Sequence, residues 1–352
     1  MIPRFNQRWL LTARPQGHVR ESDFTWNESA LEALEDGQIL VRTVHLSIDP
    51  TNRLWMNEAD SYLPAMPLGS VMRGSGIGVV EGSRNSRFVP GDVVQGLTGW
   101  QRYAVSDGRG FAKLPPLPVP FTAYLGALGH IGITAFFGLL DIGKPKAGET
   151  LVVSAGAGAV GSLVGQIGKI KGCRVVGIAG SEDKCRWMRD KLGFDAVINY
   201  RIENLPEAIR RHCPEGIDIY FDNVGGKILE VAMDHLAMRA RIVACGMISQ
   251  YNATDMHSPV NLATLIVKRA RIEGFLCLDY YDRSMEAIGE IVEWLSAGKL
   301  HYRVDLMDGL ENAPKALNRL FDGSNLGKMV VRVSEEPAAA SQAQTYPQYP
   351  LN

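Results

Sequence analysis

From about residue 128 onward, short apolar runs alternate with stretches whose apolar residues recur at three- and four-residue spacing. The runs at 150–154, 174–178, 196–200, 217–222 and 241–245 read as strands separated by helices. Alternation at this interval predicts a parallel sheet with crossover helices. Residues 1 to about 125 keep a different rhythm. Their β-branched runs at 38–44, 77–80, 92–95 and 103–105 are broken by Gly and Pro, which predicts a mostly β region. A last helix over 283–297 leads to a short helix and terminal strand within 310–333, assigned back to the first region. The expected fold class is α/β: a doubly wound parallel sheet domain over 128–308, and a mostly β catalytic domain over 1–127 completed by 309–334. The tail 335–352 carries Pro, Ala and Gln without periodicity and reads as disordered.

Composition narrows the function. The 352 residues hold 37 Lys plus Arg against 38 Asp plus Glu, a formal charge of -1, and the cations are scattered. No basic surplus exists to neutralise phosphates, so nucleic acid is not an expected partner. No run approaches the ~18 apolar residues that span a bilayer, and the charged, Pro-containing N-terminus does not resemble a secretory signal. No membrane association is expected. Cys173, Cys185, Cys213, Cys245 and Cys277 all fall in the second half without C-x-x-C spacing, which disfavours a disulfide framework or structural zinc and suits a reducing cytoplasm.

Residues 156–161, Gly-Ala-Gly-Ala-Val-Gly, fit G-x-G-x-x-G. At this glycine content about 0.4 accidental matches are expected, so context has to decide. The buried-strand run 150–154 precedes the glycines, and Val160, Leu163, Val164 and Ile167 follow at helical spacing. Strand, glycine turn and helix is the order that lets backbone N–H groups at a helix N-terminus approach a pyrophosphate. The second strand of an NAD site would end in Asp or Glu; here it ends in Gly180 and Ser181. That leaves room for a 2'-phosphate, with Lys184 one turn into the next helix as its charge partner. Glu182 and Asp183 argue for a ribose hydroxyl instead, and Lys184 could equally be a solvated helix residue. NADP(H) is the expected cofactor. The strand-end loops 222–226 and 245–249 should border it, although Gly225-Gly226 also suits a plain turn.

The first domain contains no Cys, and His18, His45 and His130 are far apart in sequence, so no metal is expected. A nicotinamide without a metal suits hydride addition to a carbon already activated by conjugation: the β-carbon of an α,β-unsaturated ketone or aldehyde. The enolate that forms can be held by hydrogen-bond donors and then protonated at the α-carbon. Tyr62 and Tyr251, both in loops, have the right hydroxyl, and each also reads as a packing tyrosine.

At these residues the chain resembles the zinc-independent branch of the medium-chain dehydrogenase/reductases: the NADPH-dependent alkenal, prostaglandin and bacterial curcumin reductases. The likeness runs from about Arg8 to Val333. It is carried by segments 148–153, 161–169, 171–177, 221–226 and 325–328, and by Arg73-Gly74-Ser75 where zinc-using relatives have Gly-His-Glu. It implies a Rossmann domain beside a GroES-like domain, a small conjugated carbonyl substrate and a homodimer. For the cofactor it implies Gly158, Ala159, Val160 and Gly161 at the pyrophosphate, and Lys184 and Tyr200 at the adenosine end. Asn223, Cys245, Gly246, Ser249, Tyr251, Phe275, Leu276, Cys277 and Asn325 are implied towards the nicotinamide. Tyr62 and Tyr251 are implied as the acid or enolate stabiliser, with Thr51, Arg53 and Tyr62 lining the substrate pocket. Thr51 stands where relatives carry tyrosine in Asp-Pro-Tyr-Met-Arg, so a reshaped pocket is expected. Quinone reduction and NADPH binding without turnover are the alternatives to double-bond reduction.

Overall fold

The computed structural model describes residues 5–58, 62–115 and 119–337; of the tail expected to be disordered, 338–352 lies outside the described residues. The described strands are β1 (Phe5–Leu11), β2 (Phe24–Ala30), β3 (Ile39–Ser47), β4 (Gly76–Ser83), β5 (Val93–Gly96), β6 (Tyr103–Ser106), β7 (Ala112–Lys113), β8 (Thr150–Val153), β9 (Arg174–Ala179), β10 (Ala196–Asn199), β11 (Ile217–Asp222), β12 (Leu236–Ala244), β13 (Arg271–Gly274), β14 (Val304–Asp308) and β15 (Lys328–Arg332).

One compact unit comprises Met1–Leu125, Val304–Ser324 and Met329–Asn352. Its main sheet has the order β14-β15-β3-β4-β5-β7, with β6 pairing β3. The terminal strand β15 lies antiparallel on β3, with Val330 opposite Ser47. β1 and β2 form a separate antiparallel ribbon with Trp9 opposite Trp26. The hydropathy pattern does not single this ribbon out, because in β2 (FTWNESA) Phe24 alone is buried. Trp9, Phe24, Met72, Trp100 and Leu310 share one core, and the Trp9 indole N–H donates to the Leu310 carbonyl at 2.9 Å.

The other unit comprises Gly126–Arg303 with Asn325–Lys328. Its six-stranded sheet has the order β10-β9-β8-β11-β12-β13 and all its strand pairs are parallel. Chain order reverses between β8 and β11, the switch point outside whose carboxyl ends ligands bind in open α/β sheets. β12 starts five residues earlier than the run 241–245. Its register on β11 shifts between Ile217 and Ile219 and Arg239 adopts φ 62, so the bulged first half lacks a regular apolar alternation.

The helix Ala159–Ile170 after β8 packs closely because its glycines meet neighbouring groups that leave no room for a side chain. A Cβ on Gly161 would stand 2.3 Å from the Ala155 carbonyl oxygen, and one on Gly165 would stand 2.0 Å from Cζ of Phe194. Gly165→Ala is therefore expected to destabilise the chain by about 1–3 kcal/mol through overpacking, read as a lower urea midpoint with unchanged slope. Pairing it with Phe194→Leu should recover part of the loss, and an unchanged midpoint in the single variant would contradict this packing.

Candidate functional site

The carboxyl ends of β8, β11 and β12 are tied together by side chains. Ser154, which follows β8, donates from Oγ to Asp222 Oδ1 at 2.9 Å, and the same Oγ accepts the Asn223 N–H at 2.8 Å. Asn223 Nδ2 donates to the Ser154 carbonyl at 2.8 Å. Asp222 also accepts N–H groups from Val224 at 3.0 Å and from Gly225 at 3.0 and 3.1 Å. Burial pushes the Asp222 carboxyl above its ordinary value, while the N–H groups of Gly225 and Val224 and the Ser154 hydroxyl pull it back. Gly225 and Gly226 adopt φ +67 and +58, and a Cβ on Gly226 would stand 2.6 Å from Gln250 Nε2. Turn geometry and close approach thus both require glycine there, as a plain strand-to-helix connection would.

The motif glycines form the turn into the helix Ala159–Ile170, whose first turn carries no acidic side chain, so its N-terminal N–H groups and dipole are available to an anion. Gly158 forms a parallel bridge with Gly327, and the Gly327 N–H donates to the Ala157 carbonyl at 3.0 Å. The buried Asn325 donates from Nδ2 to the Gly327 carbonyl at 3.1 Å. The glycine turn and the segment 325–328, distant in sequence, are therefore one construction. Gly158, Ala159, Val160, Gly161 and Asn325 are brought together by it.

The loop after β12 completes this border. The Cys245 and Gly246 N–H groups donate to the Asp222 carbonyl at 2.9 and 3.0 Å, and Ser249 Oγ donates to the Val224 carbonyl at 2.7 Å. Tyr251, expected as a candidate acid, accepts the Met247 N–H on its hydroxyl at 3.0 Å, which makes it a brace for this loop. Phe275 turns its ring towards protein: a Cβ on Gly138 would lie 2.5 Å from Phe275 Cζ, and the ring packs edge-on to Tyr280 at 6.3 Å. Leu276 and Cys277 follow it out of β13. Burial pushes the thiols of Cys173, Cys185 and Cys213 up to about 11 and that of Cys245 higher still, so these four are poor nucleophiles. At the adenosine end, Ser181 caps the helix Glu182–Asp190 and accepts the Lys184 N–H at 3.4 Å, while Tyr200 is exposed at the end of β10.

The first unit holds the remaining expected residues. Thr51 opens the short helix Thr51–Leu54, and its Oγ1 is hydrogen-bonded to the Tyr62 hydroxyl. Arg53, expected in the substrate pocket, is buried and donates to the carbonyls of Gly17 at 3.3 Å and Pro15 at 3.0 Å and to Asn57 Oδ1 at 2.6 Å. Desolvation lowers its pKa, opposed by the nearby Asp23 charge. These contacts hold the helix that presents Thr51. Sequence reasoning noted Arg73 only as the residue in place of a zinc-site pattern. Both its Nη atoms donate to the Pro64 carbonyl at 3.2 Å, its guanidinium lies 5.6 Å from the Trp55 ring centroid, and its electrostatics include Tyr62. The Ser154–Asp222 pair was also missed, although Ser at the end of the motif strand and Asp in Asp-Asn-Val-Gly-Gly are both visible in the sequence. Among the described residues, no three His, Cys, Asp or Glu side chains converge as a metal site.

Two family profiles match the chain: one described as the N-terminal domain of oxidoreductase over residues 7–114, and one described as zinc-binding dehydrogenase over residues 159–296. The NADPH-dependent curcumin reductase of Escherichia coli (strain K12) is 44% identical over 335 residues, covering 94% of this chain and 97% of that protein. The 2-alkenal reductase (NADP(+)-dependent) of Nicotiana tabacum is 41% identical, covering 94% and 98%. The crystal structure of CurA in complex with NADPH from Vibrio vulnificus matches at a TM-score of 0.90 and 45% identity, over 94% of this chain and 100% of that one.

Removing the Ser154 hydroxyl takes from the Asn223 N–H its acceptor and leaves Asp222 Oδ1 with two of its three donors. Ser154→Ala is expected to cost about 1–3 kcal/mol in urea unfolding, more than a surface Ser→Ala control. Equality with the control would show that the pair carries no structural weight.

Proposed function

This chain belongs to the zinc-independent, NADPH-dependent curcumin and alkenal reductase branch of the medium-chain dehydrogenase/reductases, and we propose that its substrates are small α,β-unsaturated ketones and aldehydes. It is an NADPH-dependent reductase of conjugated carbon–carbon double bonds. The observation that carries this reading is identity above 40% to reductases of that kind over nearly the whole of both chains. The residues fit the cofactor: a Cβ on Gly161 would collide with the Ala155 carbonyl, so the pyrophosphate turn is as tight as the binding mode requires.

NADPH, when bound, supplies the hydride that the substrate accepts at its β-carbon. In this reading Gly158, Ala159, Val160 and Gly161 hold the pyrophosphate with the helix N-terminus, and Lys184 and Tyr200 hold the adenosine end. Asn223, Cys245, Gly246, Ser249 and Asn325 face the nicotinamide. Phe275, Leu276 and Cys277 contribute backbone there, since the Phe275 ring packs on Tyr280. Tyr251 fixes the 245–251 loop. The Tyr62 hydroxyl, paired with Thr51, holds the enolate oxygen or delivers the proton to the α-carbon, and Arg53 keeps the Thr51 helix in place. A phenol is acid enough for this, because an enolate is a stronger base than the phenolate left behind, which takes its proton back from solvent.

We read the chain as a homodimer. β13 is one of the two edges of its sheet, and Ile266, Val267, Ile272, Leu276 and Leu278 are exposed along and around it. A short unpaired strand flanked by exposed apolar side chains suits pairing with the same edge of a second copy. We place the protein in the cytoplasm, which keeps its five free thiols reduced. No helix among the described residues is long and apolar enough to cross a membrane.

NADPH oxidation with a panel of enones, enals and quinones, with and without a zinc chelator, tests the activity. Chelator-insensitive turnover yielding the saturated ketone is expected, and turnover of quinones alone would overturn the substrate class. Tyr62→Phe should lower kcat about tenfold or more with NADPH affinity unchanged, and wild-type rates across the panel would remove Tyr62 from the chemistry. Light scattering should give twice the chain mass, and Ile272→Lys should shift the protein to the monomer. A monomeric wild type contradicts the assembly.

A further inference from the structure

We propose that Arg201 is a second cation for the 2'-phosphate of NADPH, acting with Lys184, and that it sets much of the preference over NADH. The inference rests on the NADPH reading above and concerns a residue that neither the motif nor the resemblance marks.

In a doubly wound sheet the carboxyl end of the second strand is where the chain meets the 2'-position of the adenosine ribose. A carboxylate there selects the diol of NAD, and a nearby Arg accommodates the 2'-phosphate. That strand is β9, ending at Ala179, with Gly180 next. β10 lies parallel beside it with Asn199 opposite Ala179, which brings Tyr200 and Arg201 level with Gly180 and Ser181. A Cβ on Gly180 would stand 3.1 Å from both Cε1 and the hydroxyl of Tyr200, and 3.2 Å from Arg201 Nε. Both side chains therefore fold over the Gly180 α-carbon, and the lack of a side chain at 180 leaves room for them.

The backbone under Arg201 is fixed. Asn199 is buried; its Oδ1 accepts the Arg201 N–H at 3.2 Å, and its carbonyl accepts the N–H groups of Ile202 and Glu203 at 3.1 and 2.9 Å. On the other side of Gly180, the Ser181 cap fixes Lys184 one turn into its helix. Two nearby carboxylates have partners of their own. Glu203 is held by Arg211 at 2.6 Å and by the Asn199 N–H at 2.8 Å, and Asp183 pairs with Arg186 at 3.3 Å. Glu182, in the first turn, is the acid that could instead accept a ribose hydroxyl. A cation from the segment after each of these two adjacent strands favours the phosphate, and a planar guanidinium can engage two of its oxygens at once, which an ammonium cannot.

The test uses calorimetric titration of the full chain with adenosine 2',5'-bisphosphate and with 5'-AMP, which differ only in the 2'-phosphate. Wild type should bind the bisphosphate about 30-fold or more tightly than AMP, and Arg201→Ala should shrink that ratio about tenfold while AMP affinity stays within twofold. Arg201→Lys should keep part of the ratio, Lys184→Ala should shrink it separately, and the double variant should bind both nucleotides alike. The KM for NADPH should rise in step while that for NADH stays put. A ratio in Arg201→Ala within twofold of wild type overturns the clamp alone, as does parallel loss of AMP binding. A wild type that binds both nucleotides equally overturns the NADPH reading and the clamp with it.

Discussion

The buried hydrogen bond from Ser154 to Asp222 is the constraint on which the nucleotide half of this molecule depends. Ladder hydrogen bonds hold β8, β11 and β12 along their length, but end where the strands end, which is where the ligand loops begin. From that point the geometry is carried by one hydroxyl and one carboxylate. The carboxylate collects the N–H groups of Val224 and Gly225, the hydroxyl collects that of Asn223, and the Asp222 carbonyl collects those of Cys245 and Gly246. Donors that would otherwise be buried without partners are satisfied by the groups that shape the loops, so the loops are set before any ligand arrives. A fully connected polar network of this kind rigidifies, whereas a half-connected one is costly.

The first unit solves a related problem with a buried cation. A four-residue helix has no stability of its own, yet Thr51 must be presented from one. Arg53 holds that helix to the 15–17 loop by backbone carbonyls and to Asn57 by its amide. Removing a guanidinium from water is unfavourable unless its donors are occupied, and these contacts occupy three of its five, one on each nitrogen. Arg53 thereby acts on the placement of Thr51 through position.

The fold was legible because the central strands β8, β9 and β11 are almost wholly buried, and continuous apolar runs between helical stretches have few other readings. The glycine motif and the 325–328 segment were legible as separate signals, but their union through Gly158 and Gly327 was not, since it joins residues far apart in the chain. Side-chain direction was the other blind spot. Arg53 follows Thr51 by two positions, and spacing cannot say that one faces the framework while the other meets Tyr62. Tyr251 sits in a loop, and spacing could not show that its hydroxyl also accepts a backbone N–H from that loop. The β1–β2 ribbon escaped because a strand with one buried residue carries almost no hydropathy signal.

Thr51 stands where the resemblance leads one to expect a tyrosine, and the groups around it show what the smaller side chain meets. A tyrosine at 51 would put an aromatic ring beside Tyr62; threonine puts a hydroxyl there, hydrogen-bonded to the Tyr62 phenol. A phenol that donates to substrate needs its oxygen lone pairs and rotation controlled, and a neighbouring hydroxyl can donate to it in return. Arg73 ties the same wall to the Pro64 carbonyl and adds a positive charge within electrostatic reach of Tyr62. Positive potential near a developing enolate favours the transition state over the neutral ground state, the differential that lowers a barrier. On the proposed reading of this wall, the smaller residue would leave it more open while the polar groups around it could still hold an oxyanion, which would broaden the shape of substrate admitted without changing the hydride chemistry.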